Sequence, residues 1–468
     1  MNKLFRHTWF PLVFQLLALA VFVLLIIGGL QADTDDPAFA KILRNTNLAN
    51  LMVWSYWWPL IILASPLLGR VWCLVCPMEL VTSLAARVGL KRKPSAVLRS
   101  GWVMTGFYIL ILFVGIHTLS IHRVPYRMAV YMLILFATAL VSGLLFSRNA
   151  FCAHVCPVGH LLGLYARLAP FGWGVRDKSI CKTCDDKSCI AKQTAYDFQS
   201  RSCGVGLAPS VMHDSAACIL CGHCLKACDR YDTGTPGRPN PGWFRRPWFK
   251  DLLDLKPMTS AQAIFCLIVS GFVVYEVFTE WSVTKSLLLW TPNQIAQSLG
   301  LAGAGTFGLV KSLTLFVLLP TVFWMLPYGL FRLAGGRLPV VDYLRRFGLA
   351  FIPIMAAAHI VKSLLKMTSR IPYWEHVAVD PLGIDTASGL IDKTIQLTPP
   401  PAWIGTVITI ISLVLMGIAI VLSIVMTRKL IAVHATGSGG RALPLLLIPV
   451  LYGGGFAAML IAWRLIAA

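Results

Sequence analysis

The chain has 468 residues, of which 57% are apolar and only 13% charged, and it carries a net charge of +21. A soluble globular domain carries about 25% charged residues, so composition excludes an ordinary soluble protein and points to surface in contact with lipid. The basic excess would suit a nucleic acid partner, but its distribution along the chain argues for membrane topology instead.

Apolar runs near the length of about 20 residues that crosses a bilayer as helix recur along the sequence. They are Phe10–Leu30, Leu51–Leu68, Trp102–Ile121, Met128–Phe146, Ala261–Phe278, Phe307–Leu330, Phe347–Leu365, Trp403–Met426 and Leu443–Leu465. Backbone groups in lipid must be bonded within their own segment, so each run is expected to be a helix, about nine in all. Pro320, Pro327 and Pro353 interrupt the sixth and seventh runs, and Lys311 and Lys362 sit near their ends. The first run is too long, and ends too acidic at Asp33, Asp35 and Asp36, for a cleaved signal peptide, so it is read as a retained anchor.

Lys and Arg fall in alternate loops: Lys91 to Arg99, Arg148 to Lys256, Arg332 to Arg346, and Arg428 to Arg441. The positive-inside rule then places the N-terminus and the long hydrophilic stretch in the cytoplasm of a bacterial inner membrane, with nucleic acid excluded as a partner. The acidic segments Asp33–Asp36 and Glu375–Asp392 fall outside.

Three blocks follow. Residues 1–150 form a four-helix membrane domain and residues 151–256 a cytoplasmic domain with an interfacial linker. Residues 257–468 form a second membrane domain of about five helices. The linker from Tyr231 to Pro257 is rich in Gly and Pro, then mixes Trp243, Phe244, Trp248 and Phe249 with Arg245 and Arg246, a composition that suits the headgroup layer.

The first block repeats itself. Arg70-Val-Trp-Cys73-Leu-Val-Cys76-Pro77 is echoed by Arg148-Asn-Ala-Phe-Cys152-Ala-His-Val-Cys156-Pro157. Leu84, Ala86 and Arg87 correspond to Leu164, Ala166 and Arg167 further on. Such a repeat is expected to bring two cysteine pairs face to face at the inner membrane surface. Cys73, Cys76, Cys152 and Cys156 then bind a further cluster or metal, cycle as dithiol and disulfide, or pack as inert thiols. The residues alone leave these three open. The flanking arginines Arg70, Arg87, Arg148 and Arg167 are expected to favour thiolate there.

Of thirteen cysteines, only Cys266 stands alone, and it is read as a small apolar residue of its helix. The strongest motif is Cys218-Ile-Leu-Cys221-Gly-His-Cys224-Leu-Lys-Ala-Cys228, the C-x2-C-x2-C-x3-C run of bacterial [4Fe–4S] ferredoxins, whose fourth Cys serves a second cluster. Zinc ribbons instead favour two separated C-x2-C pairs. A partner run lies upstream: Cys181, Cys184 and Cys189, then a displaced Cys203. Cross-ligation predicts one cluster on Cys181, Cys184, Cys189 and Cys228, and another on Cys218, Cys221, Cys224 and Cys203. Eight thiolates call for a reducing compartment.

Helix pairs ending in Cys-Pro motifs, followed by a cytoplasmic two-cluster ferredoxin domain, resemble the membrane-bound polyferredoxins of the NapH, NosR and CcoG kind. The resemblance covers roughly residues 1–256. It implies a polytopic α-helical membrane protein with an inserted two-[4Fe–4S] ferredoxin-like domain. It also implies an electron carrier, or an oxidoreductase component without substrate chemistry of its own, working between a cytoplasmic donor or the quinone pool and a partner redox system. This chain departs from the pattern in its first motif, which is Cys-x2-Cys-Pro, and in Asp229 and Gly204 after the last cysteine of each run. The C-terminal block lies outside the resemblance.

Histidines inside spans are functional candidates. His359, deep in the seventh run, is a candidate metal, haem or quinone ligand. His117 and His122, near the end of the third run, read as hydrogen-bonding interface residues. His154 and His223 lie between cysteines and are placed to tune them. Two other functions fit the same residues: an accessory reductase in metalloenzyme maturation, and a redox-sensing transporter. The scarcity of mid-span carboxylates weighs against the transporter.

Overall fold

The computed structural model describes residues 2–197, 201–230, 240–301, 303–435 and 439–466. The Gly- and Pro-rich start of the linker, residues 231–239, lies outside them. Among the described residues, eight helices are long and apolar enough to cross a membrane: Leu12–Leu30, Leu48–Leu68, Pro125–Leu145, Ser260–Phe278, Ala304–Leu333, Val340–Val379, Ala402–His434 and Gly440–Ile466. The remaining run forms the shorter apolar helix Trp102–Ile116. At 1.5 Å per residue it is about 22 Å long, against a hydrocarbon core of about 30 Å. The chain divides into two compact units, one made of Met1–Ile27, Leu63–Met104 and Ala129–Asp254, the other of Gly28–Ile62, Thr105–Met128 and Leu255–Ala468.

In the first unit the two Cys-Pro segments fold alike. A one-turn helix, Val71–Val75 or Ala150–His154, carries the first cysteine of each pair. The residue before a proline avoids the α region. Cys76 (φ −66°, ψ 129°) and Cys156 (φ −67°, ψ 110°) are accordingly extended, and the proline then opens the helix Pro77–Val88 or Pro157–Tyr165. Proline is tolerated there because the first helical N–H has no partner in any case.

The hydrophilic stretch closes with strand β1 (Phe171–Val175) antiparallel to β2 (Pro241–Arg245), Trp173 opposite Trp243. Trp243 stacks at 5.6 Å on Phe171 and at 6.4 Å on Phe5. It is therefore part of this domain's packing, whereas Trp248 is exposed as an interfacial anchor would be. The N-terminal turn Asn2–Arg6 joins the same core: Phe5 is buried against Phe10, Leu74, Trp173 and Leu220. Gly222, inside the ferredoxin motif, has φ +74°, and a Cβ there would lie 2.5 Å from the Phe5 ring. Only glycine satisfies both the backbone and the contact.

The second unit is built on Ser260–Phe278, packed against Phe351–Thr368, with Ala402–His434 along the latter. Polar side chains fasten the apolar helices, as expected where lipid provides no competing partner. Ser423 donates to the Ala350 carbonyl (2.7 Å), Tyr452 to that of Ser270 (2.8 Å), and the Trp324 indole to the Ser270 hydroxyl (3.1 Å). Cys266 is fully buried against Gly348 and Met355, a packing role. The end of the helix Pro37–Thr46 meets the second acidic segment: Thr46 donates to the Gly383 carbonyl at 2.7 Å and Asn47 to that of Leu382 at 3.0 Å. The amphipathic helix Pro37–Thr46 and the helix Ser282–Ser298 lie outside the apolar runs of the sequence.

Candidate metal centre

Twelve of the cysteines lie in the first unit, and all are free thiols. Cys203 lies within electrostatic reach of Cys218, Cys221 and Cys224. These four line one cavity together with Trp173, Leu207 and Met212. Cys189 has Cys228, Cys181 and Cys184 as its charged neighbours. Cys152 has Cys156, Cys76 and Cys73. The structure thus brings the cysteines together in three sets of four, two of them the sets that cross-ligation calls for and the third drawn from both halves of the repeat. The sets adjoin. Cys218 is within reach of Cys73, and the Cys203 amide donates to the Cys189 carbonyl at 2.9 Å.

Among the described residues, no three His, Cys, Asp or Glu side chains close on one point as ligands of a single metal ion would. The thiols of the Cys203 set border a cavity instead, the arrangement that suits four irons with one thiolate each. Its lining is apolar, and N–H groups point at sulfur: the Trp173 indole at Cys224 (2.9 Å) and the Leu207 amide at Cys203 (3.3 Å). Comparable donors serve the other sets, Asn240 to Cys181 (3.3 Å) and the Gly159 amide to Cys156 (3.4 Å). Such bonds stabilise charge on cluster sulfur. The residues fit a [4Fe–4S] group.

Burial governs the thiols. It pushes Cys156 and Cys189 up to about 11 and Cys218 up to about 12, with neighbouring cysteines adding to it. Cys76, Cys152, Cys221 and Cys224 are also raised, again by burial first. The expectation that four arginines lower these thiols is corrected: burial outweighs them, although Arg70 lies beside Cys73, Cys152 and Cys156. Arg87 reaches the Asp197 carbonyl (3.4 Å), and Arg148 bonds the carbonyls of Cys203 (2.7 Å) and Ile190 (3.0 Å). Arg167 is buried near His160. Buried neutral thiols of this kind become thiolates on a metal, which deprotonates them outright.

Arg70 occupies a shared position. It is 5% exposed, bonded to Cys73, and within reach of Cys152 and Cys156 as well as Cys218 of the next set. A Cβ on Gly159 would lie 2.5 Å from Arg70 Nη2, so the second Cys-Pro helix leaves room for this guanidinium. Glu79 is the residue that reasoning from sequence missed. It is 1% exposed, ion-paired with Arg201, and accepts from Asn149 (2.5 Å) and Gln15 (2.6 Å). It lies within reach of Cys152 and of Cys221. A buried carboxylate needs this full set of donors, and its position three residues after Cys76 was the only available signal.

His223 is buried beside Arg201, which, after burial, pushes it well below the usual histidine range. His154 is likewise lowered by burial, then by Arg99. His359 lies in the second unit, near Trp58, Phe272 and Glu276.

Comparison with known proteins bears on the Cys-Pro repeat in particular. A family model described as a 4Fe-4S binding domain matches residues 50–95 and 128–177, the two segments that contain Cys73/Cys76 and Cys152/Cys156. An uncharacterized protein of Methanocaldococcus jannaschii, MJ0749, is 26% identical over 170 residues, which is 35% of this chain and 62% of that relative. The chain therefore spans less than two thirds of the relative's length. No solved structure matches the chain. These findings support an iron–sulfur protein with candidate membrane-spanning helices, and a 4Fe-4S binding domain suggests electron transfer.

Proposed function

We propose that this is a membrane-bound electron carrier whose three cysteine sets hold [4Fe–4S] clusters in series. The observation that carries the reading is the grouping of twelve cysteines into three adjoining fours within one compact unit. Clusters bound there supply one-electron carriers. The chain's own residues do the rest. Cys181, Cys184, Cys189 and Cys228 form the more open set, where a soluble donor can approach. Cys203, Cys218, Cys221 and Cys224 sit deeper, against Phe5 and Trp173. Cys73, Cys76, Cys152 and Cys156 lie next to Cys218, with Arg70 between them. The match of a 4Fe-4S binding model to both Cys-Pro segments supports a cluster in the third set.

The basic loops and the acidic segments support an orientation with the cysteine sets on the cytoplasmic side. The partners are then a cytoplasmic donor or membrane quinol and a redox partner reached through the membrane. Low-temperature EPR of anaerobically purified, stepwise-reduced protein tests the arrangement. Adjoining clusters should give spin-coupled spectra that simplify when Cys218→Ser removes the middle one. Isolated, non-interacting signals would contradict a series.

A further inference from the structure

The second unit gathers an excess of positive charge that nothing in the electron-transfer reading uses. Lys362 lies 3.5 Å from Glu276 and is paired with Glu280. Around Glu276, within electrostatic reach, are Lys366, His359 and His117 in addition to Lys362. Lys366 has Arg44 and Arg370 near it, Arg44 has Arg370 and Arg123, and Lys311 has Arg123 and Glu276. The result is one connected cluster of six basic side chains with two carboxylates.

The other acids of this region are engaged elsewhere. Asp35 pairs with Arg127 (3.3 Å), Glu375 with His376 (3.3 Å), and Asp380 accepts from Gly383 and Thr386. The histidines add little to the excess: burial, then Arg123, holds His122 well below the usual range. Burial with Arg370 and Arg123 also lowers Arg44 to about 10, the direction that crowding of like charges produces.

A second feature points to a ligand. Arg44 Nε, Arg370 Nε, His117 Nε2 and His122 Nδ1 are buried, and none has a hydrogen-bond partner. His117 is 9% exposed, its ring held between Tyr275 (5.2 Å) and Phe316 (4.9 Å). Buried polar atoms are nearly always bonded, and uncompensated charge at the end of a helix bundle is costly. The acidic composition of these same outer-side loops adds weight, because positive-inside topology does not explain arginines and lysines there.

We propose that this cluster binds an oxyanion: a phosphate or carboxylate group engaged by Arg44, Lys366 and Arg370, with His117 and His122 bounding the site. Guanidinium pairs hold such groups in bidentate fashion. The anion comes from a free small molecule or from the headgroup of an anionic lipid. The inference stands independently of the clusters.

The test uses the full-length, cluster-loaded protein in phosphatidylcholine nanodiscs, with thermal unfolding followed by tryptophan fluorescence. Inorganic phosphate is titrated against chloride at constant ionic strength. A ligand of the native state raises the unfolding temperature saturably. If the source is a free anion, phosphate raises it in phosphatidylcholine and also in phosphatidylglycerol discs. If the source is a headgroup, phosphatidylglycerol raises it and abolishes the phosphate response. In either case Lys366→Gln and Arg44→Gln should weaken the response at least tenfold. No response to phosphate or phosphatidylglycerol, or an undiminished response in both variants, would overturn the proposal.

Discussion

The indole N–H of Trp173 donates to the sulfur of Cys224 at 2.9 Å, both residues buried in the same core. A hydrogen bond to cluster sulfur stabilises the more negative, reduced state and so raises the reduction potential. Trp173→Phe keeps a ring in place against Phe5, 5.3 Å away, while removing the donor. The midpoint potential of the cluster on Cys203, Cys218, Cys221 and Cys224 should fall in a potentiometric EPR titration, with the other signals unmoved.

Glu79 and Arg201 form a buried pair whose separation tells more than its existence. Removing one partner of such a pair typically costs about 3–5 kcal/mol because the other charge is left behind. Glu79→Gln and Arg201→Gln should each lower the unfolding temperature, and the double variant should be less damaged than the sum of the two. Additive losses would show that the pair is not coupled.

Cross-ligation makes a spectroscopic prediction. Cys228→Ser should damage the signal of the cluster on Cys181, Cys184 and Cys189 while sparing that of Cys218, Cys221 and Cys224, despite its place four residues after Cys224. Cys203→Ser should do the reverse. EPR of the two variants side by side checks both.

Orientation is tested by labelling. Lys187 and Asp35 are both exposed. A cysteine at position 35 should react with a membrane-impermeant maleimide added from outside, and one at position 187 only after the membrane is opened.

The membrane runs were legible because lipid imposes length and apolarity on every span, and Leu12–Leu30 or Pro125–Leu145 differ from the runs read in sequence only at their ends. The ferredoxin spacing was legible because its ligands are neighbours along the chain. What escaped depends on distant residues. Glu79 draws its donors from Gln15, Asn149 and Arg201, far apart in sequence, and no local pattern announces them. Trp243 beside two arginines reads as interfacial until β2 pairs with β1 and stacks it on Phe171. Arginines flanking the Cys-Pro motifs looked alike, yet Arg148 and Arg87 donate to backbone carbonyls while Arg70 bonds Cys73. The polar cluster of the second unit is assembled from five separate segments, and each contributes only one to three charges.

The central claim is that the Cys-Pro repeat completes a third cluster site beside the two ferredoxin sets. Iron and acid-labile sulfide per chain, measured on anaerobically purified protein, test it most directly. The account predicts about twelve of each in the wild type, three four-iron cubes, and about eight in Cys76→Ala and in Cys156→Ala. About eight in the wild type with no loss in either variant, or stoichiometric zinc in place of iron, would contradict it.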